Sequence, residues 1–124
     1  MTDPKRVLYI GIEPTLVDLT RVPDMNAAKL AAGIDAEVRR LEAHGYAPRW
    51  CPVDLGETAE ATVAAELGRQ AYACVVIGAG IRVGPPYFIL FEKLLNVVHE
   101  HAHDAKICFN TKPTDTLEAV QRWI

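Results

Sequence analysis

Little in this chain is present in excess, and each shortage removes a class of function. Lys and Arg number 13 against 16 Asp and Glu, a net charge of −3. Nucleic acids and anionic membranes both select a concentrated basic surface, so neither is expected as a partner. The paired bases Lys5-Arg6 and Arg39-Arg40 are too short to form one. Only three cysteines occur, Cys51, Cys74 and Cys108, far apart and without a C-x-x-C spacing. A disulfide framework or a thiolate metal site is therefore not expected, and a reducing cytoplasm fits. No apolar run reaches the length of a membrane span. The opening residues Met1-Thr2-Asp3-Pro4-Lys5-Arg6 lead into too short an apolar run for a secretory leader. No G-x-S-x-G or Walker motif occurs, which removes the serine hydrolases of that type and the P-loop NTPases. Repeats, linkers and low-complexity stretches are also missing, so residues 1–124 read as a single α/β domain.

What is there is a core. Half of the residues are hydrophobic, and they fall into runs that alternate with helix-like segments. Residues 7–12 form an apolar run broken only by Gly11, as expected of a strand covered on both faces. Residues 24–44 read as a helix, with Asp24 as N-cap, Gly45 past the C-terminus, and Ala27, Ala31, Ile34, Val38 and Leu41 on one face. Residues 46–53 alternate and carry Pro48 and Pro52; proline lacks the ladder donor, so this strand belongs at an edge. A second helix over 57–71, a buried strand over 73–77, a third helix from Pro86 to about 103, a strand over 106–110 and a last helix over 114–123, capped by Thr114, complete the pattern. β-α-β-α-β-α-β-α predicts a three-layer α/β/α sandwich around a parallel four-stranded sheet. With the second strand at an edge, the order is 2-1-3-4, flavodoxin-like or Rossmann-like in layout. Ligands in such sheets bind beyond the carboxyl ends of the strands where the order reverses, here between strands 1 and 3.

The residues after those two strands are the candidate site. Val75-Val76-Ile77 stops at Gly78-Ala79-Gly80, and Gly84 precedes Pro85-Pro86. A strand feeding a glycine-rich turn and a helix aims backbone N–H groups at whatever lies above it. Gly78, Ala79, Gly80 and Gly84 are therefore candidate cradle residues. Glu13 follows strand 1 and Arg82 follows strand 3. Together they offer a carboxylate base and a planar fork for a carboxylate or phosphate, or else an ion pair that only fixes two loops. Asn110 and Lys112 follow strand 4; Lys112 is either an anion contact or a solvated lysine. One connection is abnormal: residues 13–23 make an apolar loop, with Leu16, Val17, Leu19 and Val22, where βα loops usually span about 2–6 residues. It reads either as a lid or partner contact over the switch point, or as a segment packed on its own domain.

Families that share the layout can be tested on their motifs. Flavodoxins carry a Ser/Thr-rich phosphate loop after strand 1, where this chain has Ile12-Glu13-Pro14-Thr15-Leu16. Response-regulator receivers have paired acids there and a phosphoacceptor Asp after strand 3. Lys112-Pro113 resembles their last element, but Glu13 stands alone and Gly78 occupies the phosphoacceptor region. Sugar-transport phosphocarrier domains place a Cys after strand 1 and cobalamin-binding domains carry D-x-H-x-x-G; this chain has neither. The string over 75–81 resembles the start of FAD and NAD Rossmann domains. Their G-x-G-x-x-G fingerprint needs a glycine where Val83 stands, and the acid expected at the next strand end is replaced by Asn110. No motif specifies a cofactor.

Two further features complete the reading. His99, His101 and His103 form an H-E-H-A-H-D run; on a helix His99 and His103 share a face while His101 points elsewhere. They are metal ligands only if another segment supplies a partner, and otherwise suit the negative end of a helix. The third helix, with Tyr87, Phe88, Ile89, Leu90, Phe91, Leu94, Leu95, Val97 and Val98, is apolar nearly all round, and the surplus needs a cover. The expected function is binding of an anionic small molecule or nucleotide at the ends of strands 1 and 3, with catalysis by Glu13 and Arg82 as one form of it. The alternative is a non-catalytic homodimeric interaction module that uses the third helix.

Overall fold

A strand that alternates polar and apolar residues can leave one face wet, but Cys74-Val75-Val76-Ile77 offers water nothing on either face. In the computed structural model, which describes residues 3–124, all of β3 (Cys74–Ile77) is buried, and so is β1 (Lys5–Ile12) from Val7 onward. They pair side by side at the centre of a parallel sheet of order β2-β1-β3-β4, with β2 (Tyr46–Val53) and β4 (Lys106–Phe109) outside. The prolines explain the edge. Glu13 N–H donates to the Val53 carbonyl at 2.9 Å, so Val53 and every second residue before it turn their backbone groups toward β1. Pro48 and Pro52 fall on the alternate positions, which face the open edge where no donor is needed.

Helices cover both faces. Ile34 and Leu41 of α1 (Ala27–Ala43) and Leu117 and Val120 of α5 (Thr116–Gln121) pack on Val7, Tyr9, Cys74 and Val76. Val63 and Leu67 of α2 (Ala59–Arg69) and Leu90, Leu94 and Val98 of α4 (Phe88–His101) pack on Leu8, Ile10, Val75 and Ile77. The three layers are those the alternation of elements predicts. No helix among the described residues is long and apolar enough to cross a membrane.

The departures lie at element ends. Asp24 does not cap α1: it sits at φ 58°, outside the helix, and Asn26, in extended conformation, accepts the Lys29 N–H at 2.8 Å. An N-cap needs an extended backbone to aim its side chain at the first turn, and only Asn26 has it. The segment after β3 is not a simple turn. Residues Ala79–Arg82 form a one-turn helix, α3, followed by a 3₁₀ turn at Pro85–Tyr87 before α4. Gly84, at φ 134°, breaks the run, and prolines fit only at the start of a new turn. Thr114 does not cap the last helix either. The Leu117 N–H of α5 donates to the buried Glu37 carboxylate of α1 at 3.4 Å, a cap supplied from another element. Arg40 holds Glu37 at 3.3 Å and also reaches Glu118, fastening α5 to α1.

The all-round apolar character of α4 is mostly absorbed within the chain. Leu90, Leu94, Val97 and Val98 are buried, and Phe91 and Leu95 pack half-buried against the same core, which α2 shares. Only Phe88 and Ile89 at its start stay open to water, near the exposed Val83.

All three cysteines are buried, unbridged thiols; the Cys74 and Cys108 Sγ atoms lie 3.4 Å apart on neighbouring strands. The hydrogen bond with Cys108 and burial push the Cys74 thiol up. Burial pushes the Cys51 thiol up to about 11. The unfolded thiol titrates near about 8.5, so this contribution to stability is whole below that pH and is lost as pH rises through about 11. The urea midpoint is expected to fall over that alkaline interval and to fall less in Cys51→Ala; equal losses in both would contradict the assignment.

Candidate functional site

The site begins with an absent side chain. A Cβ placed on Gly11 would lie 2.6 Å from the Trp50 ring. Glycine at this point of β1 lets the indole of the neighbouring strand lie across it, edge-on to Tyr9 with ring centroids 5.0 Å apart. α1 does not begin until Ala27, so the carboxyl ends of β1 and β3 are left uncovered by helix on that face. A cavity of about 260 Å³ remains there. Tyr9, Gly11 and Ile12 of β1, Trp50 of β2 and Gly78, Ala79 and Gly80 after β3 form its floor and one wall. Leu30 and Ile34 of α1 form another, Asn110 and Pro113 close a side, and Val17, Leu19, Val22 and Met25 of the long loop roof it. No Lys, Arg, His, Asp or Glu is among the lining residues.

The polar groups at the edge of this cavity are engaged with one another. Asn110 is 2 % exposed. Its Oδ1 accepts the Ala79 N–H at 2.7 Å, and its Nδ2 donates to the Tyr9 hydroxyl at 3.3 Å and to Thr116 Oγ1 at 2.9 Å. The Thr116 hydroxyl in turn donates to the Pro113 carbonyl at 2.7 Å. One side chain thus ties the end of β4 to α3, β1 and α5. Burial pushes the Tyr9 phenol above its ordinary range, against the opposing effect of Thr116 and Asn110. Tyr9 is a neutral hydroxyl here.

The residues singled out in the sequence divide between this cavity and other places. Gly78, Ala79, Gly80 and Asn110 border it. Glu13 does not. It lies beyond Trp50 and Ile34, in a second hollow of about 290 Å³ with Pro14, Ala31, Asp35 and Val38, and among the described residues its carboxylate accepts only from Thr15, at 3.5 Å. Arg82 turns the other way. Its Nε donates to the Ile77 carbonyl at 3.2 Å, Nη2 donates to the Asn110 carbonyl, and the guanidinium lies 4.8 Å over the Phe109 ring. Burial pulls its pKa down, opposed by Asp115. No ion pair joins Glu13 to Arg82 among the described residues, and the two do not converge on one space. Gly84 lines a different hollow with Asp18, Thr20 and Arg21. Lys112 is exposed and outside the lining; its N–H donates to Asp115 at 3.3 Å. Burial would raise the Asp115 carboxyl, but hydrogen bonds from Thr111 and Lys112 outweigh it and hold the pKa down. His99 and His101 are exposed in the last turn of α4 and His103 lies past its end, so His99 and His103 do not share a helical face, and no three His, Cys, Asp or Glu side chains gather into an ion site among the described residues.

Lining residues that the sequence did not single out include Tyr9, Met25, Leu30 and Trp50, and Gly11 stood out only as a break in its strand. Trp50 carried no signal, because its place over Gly11 depends on the register of β2 against β1. Gly11→Ala is expected to displace the indole and destabilise the fold by about 1–3 kcal/mol, as overpacking does. Urea denaturation with Trp emission as readout checks this; an unchanged midpoint and spectrum would contradict the packing described.

No protein-family model matches the chain, and no curated protein matches it in sequence.

Proposed function

We propose that this protein binds an uncharged, largely apolar small molecule in the cavity at the carboxyl ends of β1 and β3. The observation that carries the reading is the roof. Loop side chains that would be expected to seek cover stand over an apolar hollow, and Val22 and Met25 remain 44 % and 38 % exposed. A ligand would remove such surface from water at about 25 cal/mol per Å². The position is also the one at which open parallel sheets usually bind ligands. The volume lies near the small end of ligand pockets, which run from about 300 Å³ upward, so the ligand is small.

An anion or a nucleotide, the expectation from the sequence, rested on Arg82 as anion partner and the Gly78–Gly84 backbone as cradle, with Lys112 as a further candidate. Arg82 and Lys112 do not border the cavity, Arg82 is occupied by two backbone carbonyls, and the Gly78 and Ala79 N–H groups donate to the Ile10 carbonyl and Asn110 Oδ1. Binding, rather than catalysis by Glu13 and Arg82, is the role this arrangement favours. A thermal-shift screen tests it, because a ligand that binds only the folded chain raises Tm. Uncharged aromatic and aliphatic metabolites are expected to raise Tm, and AMP, ADP and inorganic phosphate are not. A response confined to the phosphates would reverse the reading.

A second reading is a homodimer, supported by Val83, Phe88 and Ile89, large apolar side chains exposed near the start of α4. Light scattering coupled to size exclusion at micromolar concentration is expected to give a dimer that Phe88→Glu/Ile89→Glu converts to monomer. A monomeric parent chain, or a dimer unaffected by the double variant, would remove it.

A further inference from the structure

The cavity lining contains three glycines, and they are there for different reasons. Gly11 is required by the Trp50 ring, 2.6 Å from its missing Cβ. Gly78 is held by the Ile10 carbonyl, 3.1 Å from where its Cβ would stand, with the Tyr9 ring at 3.7 Å. Gly80 has no such cause. A Cβ there would meet no atom within 4 Å, and its backbone lies in the helical turn α3 rather than in the left-handed region. Glycine is among the least favourable residues in a helical turn, because the unfolded chain loses the most freedom in forming it. Alanine would serve this turn better, and nothing in the protein would obstruct it. Gly80 is exposed, and Gly33 of α1 is equally unhindered, but of the two only Gly80 borders the cavity.

We infer that Gly80 keeps the cavity open for a planar ring compound and sets the largest ring system it can take. This rests on the cavity being a ligand site as proposed above. The walls indicate the ligand class. Trp50 and Tyr9 present aromatic surface, and Leu30, Ile34 and Val17 present branched aliphatic groups, against which a flat apolar ring packs well. Asn110, the one amide in the lining, has already committed its Oδ1 to Ala79 and its Nδ2 to Tyr9 and Thr116. The cavity therefore asks for few hydrogen bonds from its occupant. An apolar cavity of about 150 Å³ holds a single benzene ring. About 260 Å³ has room for a substituted ring or a fused pair of rings.

Titration calorimetry with indole and 1-naphthol tests this on the wild-type chain, Gly80→Ala and Gly80→Leu, with Tm measured for each and AMP as the charged comparison. Wild type is expected to bind both ring compounds saturably and AMP not at all. Gly80→Leu should hold Tm at or above that of wild type while its affinity for 1-naphthol falls about tenfold or more, the scale on which overfilling a packed space is felt. Gly80→Ala should retain indole and weaken 1-naphthol only partly. Wild-type affinity for 1-naphthol in Gly80→Leu would overturn the role of Gly80 and leave the cavity reading intact. A lower Tm in both variants would also overturn it, since the space beside Gly80 would then not be open. A wild-type chain that binds neither ring compound would overturn the cavity reading and this inference together.

Discussion

Asn110→Ala is expected to destabilise the fold by about 3–5 kcal/mol. Three hydrogen bonds converge on this side chain, and it is 2 % exposed, so water cannot replace them without entering the core. At about 1 kcal/mol per net bond the three contribute about 3 kcal/mol, and the half-buried Ala79 N–H, left without its acceptor, costs about 1–2 kcal/mol more. Stability for a domain of this size is typically about 5–15 kcal/mol in all, so the loss is a large share. It should lower Tm by about 10 °C or more. Asn110→Asp separates the parts. Its carboxylate can still accept from Ala79 but cannot donate to Tyr9 or Thr116 while ionised. Burial would raise its pKa, so stability near neutral pH should be low and should recover on mild acidification, when the protonated carboxyl regains a donor. Differential scanning calorimetry across that pH range reads both effects. A Tm within about 2 °C of wild type for Asn110→Ala would mean that the network does not bear on stability.

Arg82→Ala is the second large effect, expected at about 2–4 kcal/mol. Its guanidinium closes the carbonyl ends of two neighbouring segments, Ile77 of β3 and Asn110 beyond β4, and lies over Phe109. Hydrogen bonds from a charged donor contribute about 1.5–3 kcal/mol and a partly exposed cation–π contact about 0.5–1 kcal/mol; the half-exposed setting keeps the sum below the simple total. Arg82→Lys should recover little, because an ammonium on a flexible stem cannot serve both carbonyls in the plane of a stacked fork. Urea denaturation gives the loss, and affinity for a ring compound should stay within about twofold of wild type. The opposite pattern, an unchanged midpoint with lost affinity for a phosphate compound, would restore Arg82 as a ligand contact.

The parallel sheet was legible because its signals are local or come in simple alternation. Val75-Val76-Ile77 has no polar phase, Pro48 and Pro52 mark an edge, and each apolar run is followed by a helical one. The ends of the helices were less so. Asp24 and Asn26 both carry a capping side chain, and only the path of the preceding loop, with Asp24 at φ 58°, decides between them. Glu37 as the cap of α5 is a contact between residues eighty apart, which no window on the sequence contains. Strand order points to the carboxyl ends of β1 and β3, and a cavity bordered by Gly78, Ala79, Gly80 and Asn110 lies there. Which charged side chains face it could not be read the same way. Glu13 and Arg82 leave the ends of adjacent central strands, and sequence gives their proximity but not the direction of their side chains. Arg82 folds back onto carbonyls that the strand ends leave without partners, a demand that outcompetes an open cavity.

The proposed function stands on the hollow beneath the 13–26 loop being a ligand site. Backbone amide chemical shifts during a titration with 1-naphthol test it residue by residue, since every lining residue except Pro113, which has no N–H, reports separately. Saturable shifts are expected at Gly11, Ile12, Val17, Leu19, Met25 and Gly78 through Gly80, with Phe88, Ile89 and the histidines of α4 unmoved. Shifts centred on Val83, Phe88 and Ile89, or none that saturate, would contradict it.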